Sequence, residues 1–227
     1  MTDLHVLRVF LGPDGGGGNP LGVFLDGGAI APELRQGVAH ELGFSETVFV
    51  DEVDEGTARL AIFTPAAELP FAGHPTVGTS WLLTHVGMPV DTLGVRAGDV
   101  GTWQSDDRSW IRAQAGWVHQ FAIRQLDTVA EVDALQPPRM GEPGLYAWSW
   151  EDEAAGRLRS RYFPTDYGIV EDEATGAAAV VMGDRLARPL VIRQGAGSEL
   201  LVRPDVAAGT VDVGGRCALV DVRAFAR

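Results

Sequence analysis

Ile62 to Leu83 reads IFTPAAELPFAGHPTVGTSWLL, and the fold turns on this stretch. Arg59 to Phe63 reads as a strand. A tight crossing follows, and then a helix that the pattern starts near Pro75 or Thr76. Pro75 suits a first helical turn, where its missing N–H costs nothing. Gly73 and Gly78 would let a ligand or another backbone approach closely. A helix start presents unpaired N–H groups and partial positive charge, so it favours an anion. His74 stands at that mouth, so the corner is a candidate carboxylate site with a titratable group beside it. Taken alone, His74 is read first as a residue that caps or hydrogen-bonds locally.

A weaker copy follows at Arg161 to Met182, RYFPTDYGIVEDEATGAAAVVM. Aligned on strand and crossing, Pro65 matches Pro164, Thr76 matches Thr175, and Gly73 falls opposite Asp172. A repeat of this kind means two similar halves, each donating one helix start. Two such ends facing each other would form one anion site in a cleft between the halves.

The composition narrows the function classes. The 227 residues can bury a large core in one or two domains. A formal net charge of −13 argues against nucleic acid and anionic membrane surfaces as partners. All 18 basic residues are arginine. That excludes a Schiff-base lysine and a phosphate-loop lysine. The single cysteine, Cys217, permits no intrachain disulfide. No apolar run approaches a membrane span and the N-terminus has no signal-peptide pattern, so a cytoplasmic location is expected. His5, His40, His74, His85 and His119 show no metal-ligand spacing, and no metal is expected.

Outward from the central stretch, Leu4 to Phe10 reads as a strand. Gly15 to Gly18 reads as a flexible turn, with Asn19-Pro20 leading into a second strand, Leu21 to Leu25. Asn19 is a turn residue on this reading, or else an amide at a cleft edge. Ala31 to Leu42 has helical periodicity, opened by Pro32 and stopped by Gly43. Glu46 then opens a strand among apolar and β-branched neighbours. It is either solvated at the strand end or partly buried with a raised pKa, ready for proton transfer. Gln125 to Arg139 reads as a connection with one short helix. Asp172 fits a helix N-cap as well as a second acid opposite Glu46. Strands at Thr210 to Val213 and Ala218 to Ala224 close the chain, with Gly214-Gly215 marking a turn between them.

Several phrases accumulate in order: Gly18-Asn19-Pro20, Ser45-Glu46-Thr47, Phe71-Ala72-Gly73-His74-Pro75-Thr76, Glu171-Asp172-x-Ala174-Thr175-Gly176 and Gln194-Gly195. Together they resemble the phenazine-biosynthesis PhzF-like isomerase family, nearly from end to end. The resemblance implies an α+β fold like that of diaminopimelate epimerase. Two similar domains, each a mixed sheet or barrel around a central helix, would hold the active site between them. Residues 1–115 and 116–227 are the expected halves, with the last strand packing on the first. It further implies a cofactor-independent isomerase, a homodimer, with a small-molecule carboxylate as substrate. Carried over by motif, Glu46 is the general acid/base, and His74 and Asp172 hold the substrate and assist proton transfer. Gly73, Gly176 and Ala177 would bind the carboxylate through backbone N–H groups, with Asn19 a further contact.

Two departures bear on the site. The family phrase usually continues ATGSA, and Ala177 removes that hydroxyl. Glu173 replaces the usual proline and adds charge at the mouth. A binding protein without turnover, and an epimerase using Glu46 and Asp172 from opposite faces, are the alternative readings.

Overall fold

The computed structural model describes residues 2–118 and 121–226; His119 lies outside them. The strands are β1 (Thr2–Leu11), β2 (Gly17–Phe24), β3 (Glu46–Asp54), β4 (Thr57–Phe63), β5 (Glu68–Leu69), β6 (Thr92–Val95), β7 (Gly98–Ser105), β8 (Arg108–Gln114), β9 (Ala122–Gln125), β10 (Leu145–Asp152), β11 (Arg157–Phe163), β12 (Leu190–Gln194), β13 (Ser198–Asp205) and β14 (Thr210–Phe225). The helices are α1 (Pro32–Leu42), α2 (Gly73–His85), α3 (Val129–Ala134) and α4 (Gly176–Leu186).

One continuous sheet runs β1-β2-β3-β4-β6-β7-β8-β14-β13-β12-β11-β10-β9, and β1 also pairs with β14. That last pairing closes the first eight strands of the path into a ring. The remaining strands continue from β14 and wrap α4. The link from β8 to β9 contains the expected 115/116 division, and β14 belongs to both sets of strands.

α2 threads the first ring. It touches β1, β2, β3, β7, β8 and β14, and every residue from Gly73 to Ser80 is buried. A helix surrounded by sheet needs no amphipathic stripe, and α2 accordingly buries glycine, hydroxyl and apolar residues alike along its first eight positions. Gly78 shows how tight the fit is: a Cβ there would lie 2.6 Å from side-chain atoms of both Val9 and Leu21. The two sets of strands share one apolar core from Leu7 and Val23 on one side to Ile192 and Val202 on the other.

Four expectations are corrected. α2 starts at Gly73, ahead of Pro75, so His74 lies inside the first turn. The two helix starts therefore match Gly73 with Gly176, not with Asp172. The second crossing (164–175) is longer than the first (64–72), and Asp172 occupies the added length. Gly214-Gly215 is not a turn, because β14 runs unbroken through it. The glycines leave room for the rings of Trp110 and Phe10, which side chains at 214 and 215 would strike. Asn19 is not in a turn either: it sits within β2, opposite Val9.

Candidate active site

The two helix starts abut. A Cβ on Gly73 would lie 2.5 Å from the carbonyl carbon of Gly176, and one on Gly176 would lie 2.7 Å from the backbone nitrogen of His74. Only glycine at both positions permits this approach. Neither start has a side-chain cap: Ala72 and Thr175 flank the helices without a capping hydrogen bond. First-turn N–H groups have no intrahelical acceptor, so two sets of free donors converge on one place. The two helix starts thus meet, as the repeat read from sequence leads one to expect.

Above the helix starts lies a cavity of about 110 Å³. Leu69, Phe71, Val118, Phe121, Tyr162, Pro164, Tyr167 and Ile169 make its walls apolar and largely aromatic. Among the described residues its polar groups come from Glu46, Asp172, Thr64, Thr175 and the hydroxyls of Tyr162 and Tyr167, and no basic side chain lines it. Ala177 also lines the cavity, at the second helix start.

Glu46 enters from the first residue of β3, which pairs parallel with Leu21 of β2. Its side chain is only 16 % exposed, so it is not solvated at a strand end. Its Oε2 lies 3.3 Å from Nδ1 of His74, which is itself 3 % exposed. The two groups face each other without hydrogen-bond alignment. Among the described residues, Glu46 Oε2 and His74 Nε2 are buried polar atoms with no hydrogen-bond partner. Burial pushes the Glu46 carboxyl up to about 7, partly offset by the Ser45 hydroxyl. Burial drives His74 down to about 4, partly offset by the charge of Asp172 and by the Pro20 backbone. At neutral pH, then, a neutral imidazole faces a carboxyl poised between its two states.

Asp172 stands in a different setting. Burial and then the charge of Glu46 raise it to about 6, while His74, Thr175 and Asn19 pull it down. Asn19 Nδ2 donates to Asp172 Oδ1 at 2.7 Å and to the Ala174 carbonyl at 2.9 Å. Asn19 Oδ1 accepts from Ser45 at 3.2 Å. Both amide hydrogens of Asn19 are thereby engaged, so its side chain bridges the two halves. The Thr175 hydroxyl donates to Asp172 Oδ2 at 2.5 Å. Asp172 is not the N-cap of α4; that position belongs to Thr175. Glu173, read from sequence as charge at the mouth, turns away instead. Its carboxylate accepts from the Ala196 N–H at 2.9 Å and from the Ser198 hydroxyl at 2.7 Å. Ser198 in turn accepts from the Gly18 N–H.

The structure thus brings Glu46, His74, Asp172, Asn19, Gly73, Gly176 and Ala177 to one cleft. Sequence reading passed over Thr175, Tyr162 and Gln194 as participants. The Gln194-Gly195 phrase was a signal for one of them; Tyr162 carried none beyond its place just before the crossing. Among the described residues no group of three or more His, Cys, Asp or Glu side chains is arranged to hold a metal ion, and no helix is long and apolar enough to cross a membrane.

The model of the phenazine biosynthesis-like protein family, PhzC-PhzF, matches residues 12–115. A trans-2,3-dihydro-3-hydroxyanthranilate isomerase of Pseudomonas aeruginosa is 34% identical over 223 residues, covering 81% of this chain and 80% of its own. An "uncharacterized isomerase" of Deinococcus radiodurans is 42% identical over 213 residues, covering 72% of this chain and 69% of its own. The crystal structure of a PhzF-family phenazine biosynthesis protein from Bacillus anthracis superposes with a TM-score of 0.77 over 98% of both chains, at 20% identity. The last likeness concerns the fold, which is that of the diaminopimelate epimerase-like α+β proteins.

Proposed function

This chain belongs to the phenazine biosynthesis-like PhzC-PhzF family and is an isomerase, and we propose that it moves a proton on a small carboxylate with Glu46 as general acid and base. The observation that carries the reading is the setting of Glu46. It is a buried carboxyl with an unsatisfied oxygen, raised to about 7, beside a neutral histidine and over an apolar cavity. A catalytic carboxyl is most effective when its pKa lies near the working pH.

The substrate carboxylate docks on the first-turn N–H groups around Gly73 and Gly176-Ala177. This placement holds the carbon skeleton among Phe71, Phe121 and Tyr162, within reach of Glu46. Ionised Glu46 takes a proton from one carbon as that C–H bond breaks. The electron pair moves into the adjoining unsaturated system. Protonated Glu46 then returns the proton to a second carbon of the same skeleton, so the net change is an isomerisation. His74 stays neutral throughout and faces the carboxyl that changes charge, while Asp172 holds the opposite wall. The chemistry so described calls on no cofactor. Two-sided epimerisation is the weaker reading, because both Asp172 oxygens already accept a hydrogen bond whereas Glu46 Oε2 accepts none.

The dihydro-hydroxyanthranilate named for the Pseudomonas relative is the first candidate substrate, together with cyclic and amino carboxylates. The test is NMR of these compounds incubated in heavy water with wild type and Glu46→Gln. Deuterium should enter a carbon position with wild type. Exchange should drop by about 10²–10⁴-fold in the variant, the usual contribution of a positioned acid or base. Wild-type exchange rates in a folded Glu46→Gln protein would remove Glu46 from the mechanism.

A further inference from the structure

Gln194, at the end of β12, is fully buried, and the proton-transfer reading does not use it. Its Nε2 donates to the Asp172 backbone carbonyl at 2.9 Å and to Thr175 Oγ1 at 2.8 Å. Its Oε1 accepts from the Thr175 N–H at 3.2 Å. A backbone carbonyl can only accept and a backbone N–H can only donate. These two partners therefore fix which end of the amide is which. With Nε2 already donating to Thr175 Oγ1, the hydroxyl hydrogen of Thr175 has to point elsewhere, and Asp172 Oδ2 is 2.5 Å away.

The same logic applies at the other oxygen. Asn19 Nδ2 faces the Ala174 carbonyl, so the Asn19 amide cannot be reversed, and its second hydrogen goes to Asp172 Oδ1. Each oxygen of Asp172 thus receives a hydrogen whose direction is dictated by backbone groups. A protonated Asp172 would set its own hydrogen against one of these donors. Glu46, across the cleft, receives no such hydrogen at Oε2.

We infer that Gln194 is a positioning residue: it turns the Thr175 hydroxyl toward Asp172, so that Asp172 stays ionised and the proton of the buried carboxyl pair rests on Glu46. Hydrogen bonds to the charged form favour that form, and Asp172 has two such donors, one on each oxygen, where Glu46 has the Ser45 hydroxyl alone. The groups that face Asp172 are Glu46 from β3, His74 from α2 and Tyr162 from β11. None of them reverses the ordering. His74 is neutral, Tyr162 stays protonated because burial raises it, and Glu46 is the other member of the pair. The inference concerns the site of the proposed reaction, and its test needs no substrate.

The test is a titration of ¹³C-labelled Asp and Glu carboxyls followed by NMR on the full chain. Signals are assigned with Asp172→Asn and Glu46→Gln. Because the two sites are coupled, the carbon shifts of each residue are followed separately. In wild type, Asp172 should ionise at lower pH than Glu46. Thr175→Val removes the donor and should raise the Asp172 midpoint by about one pH unit, closing or inverting the gap. Thr175→Ser, which keeps the hydroxyl, should hold the wild-type order. Gln194→Met frees the hydroxyl to turn and should act in the same direction as Thr175→Val. If Gln194→Met does not fold, the Val and Ser variants at 175 decide alone. A wild type in which Glu46 ionises first would overturn the inference. So would an Asp172 midpoint unmoved in folded Thr175→Val. Failure to find an exchanging substrate would touch the proposed reaction and leave this titration standing.

Discussion

The two helix starts occupy equivalent places in two similar halves, yet they treat their buried polar groups in opposite ways. At the start of α2, His74 and Glu46 face each other at 3.3 Å with an oxygen and a nitrogen left unpaired. At the start of α4, Asp172, Thr175, Gln194 and Asn19 form a closed network in which both oxygens of the acid are served. Burying a polar group without a partner costs roughly 1–3 kcal/mol. The first corner carries that cost and the second avoids it. Reactivity belongs where the carboxyl is left unsatisfied, and order belongs where it is satisfied. Natural proteins concentrate broken local rules at functional sites, and here the rule is broken on one side of a single cleft.

The comparison depends on the corners touching, and the largest stability effect should come from forcing them apart. Gly176→Ala would place a Cβ 2.7 Å from the His74 backbone nitrogen, and Gly73→Ala one 2.5 Å from Gly176. Both obstacles are backbone, so neither side can yield by a rotamer change. Each substitution should cost about 3 kcal/mol, toward the upper end of overpacking effects, and should abolish exchange. Urea unfolding measures the first and the heavy-water assay the second. Wild-type stability in either variant would mean that the close approach of the helices is not a requirement of the fold.

A stabilising and more discriminating effect, confined to high pH, separates the two acids. Glu46 has its folded pKa raised from 4.5 to about 7. Relative to the unfolded chain, the folded state holds that proton more tightly. Stability is therefore lost as pH rises from 4.5 through 7, and the loss is complete above that window. Glu46→Gln removes the penalty and should stabilise the protein by about 3 kcal/mol at pH 8, with no gain at pH 4. Asp172 is raised as well, from 3.8 to about 6, but in Asp172→Asn the relief should be offset and no such net gain should appear. Its new amide hydrogens would face the hydrogens donated by Asn19 or Thr175, which leaves buried donors unpaired. Thermal melts of both variants at pH 4 and pH 8 decide the matter. Equal gains at pH 8 would erase the distinction between the corners. His74 works with the opposite sign: its folded pKa is lowered to about 4, so it removes stability as pH falls from 6.5 toward 4.

The elements that meet at the cleft were within reach of sequence reading, the asymmetry between its corners was not, and what escaped did so for physical reasons. The strand, crossing and small-residue helix start at 62–83 were legible because proline, glycine and apolar spacing act locally. That Glu46, His74 and Asp172 would come together was legible because the phrases around His74 and Asp172 are specific and the weaker phrase around Glu46 gains weight beside them. Gly214-Gly215 was misread because glycine marks a close approach as readily as a turn, and only the rings of Trp110 and Phe10 tell the two apart. Asn19 was misread for the same kind of reason: an Asn-Pro pair normally breaks a strand, and here it lies within β2. The network at Gln194 joins residues from β2, the second crossing and β12, and no local pattern announces such a meeting. The longer second crossing also put the repeat out of register, which set Gly73 against Asp172 instead of against Gly176.

The smallest effect should come from Ala177, where the chain departs from its family's usual serine. Ala177 is half-buried and lines the cavity one residue into α4. Its backbone N–H is available to an anion whatever the side chain is. Ala177→Ser adds one hydroxyl at the second helix start without touching Glu46, His74 or the Gln194 network. A single added hydrogen bond is worth roughly 0.5–1.5 kcal/mol. The variant should therefore bind a carboxylate substrate a few-fold more tightly, with kcat nearly unchanged and the same thermal midpoint. That split between KM and kcat would mark the second corner as one that holds the substrate while the first one reacts. A large change in kcat would mean that position 177 touches the transferring proton after all, and the division of labour between the two corners would have to be redrawn.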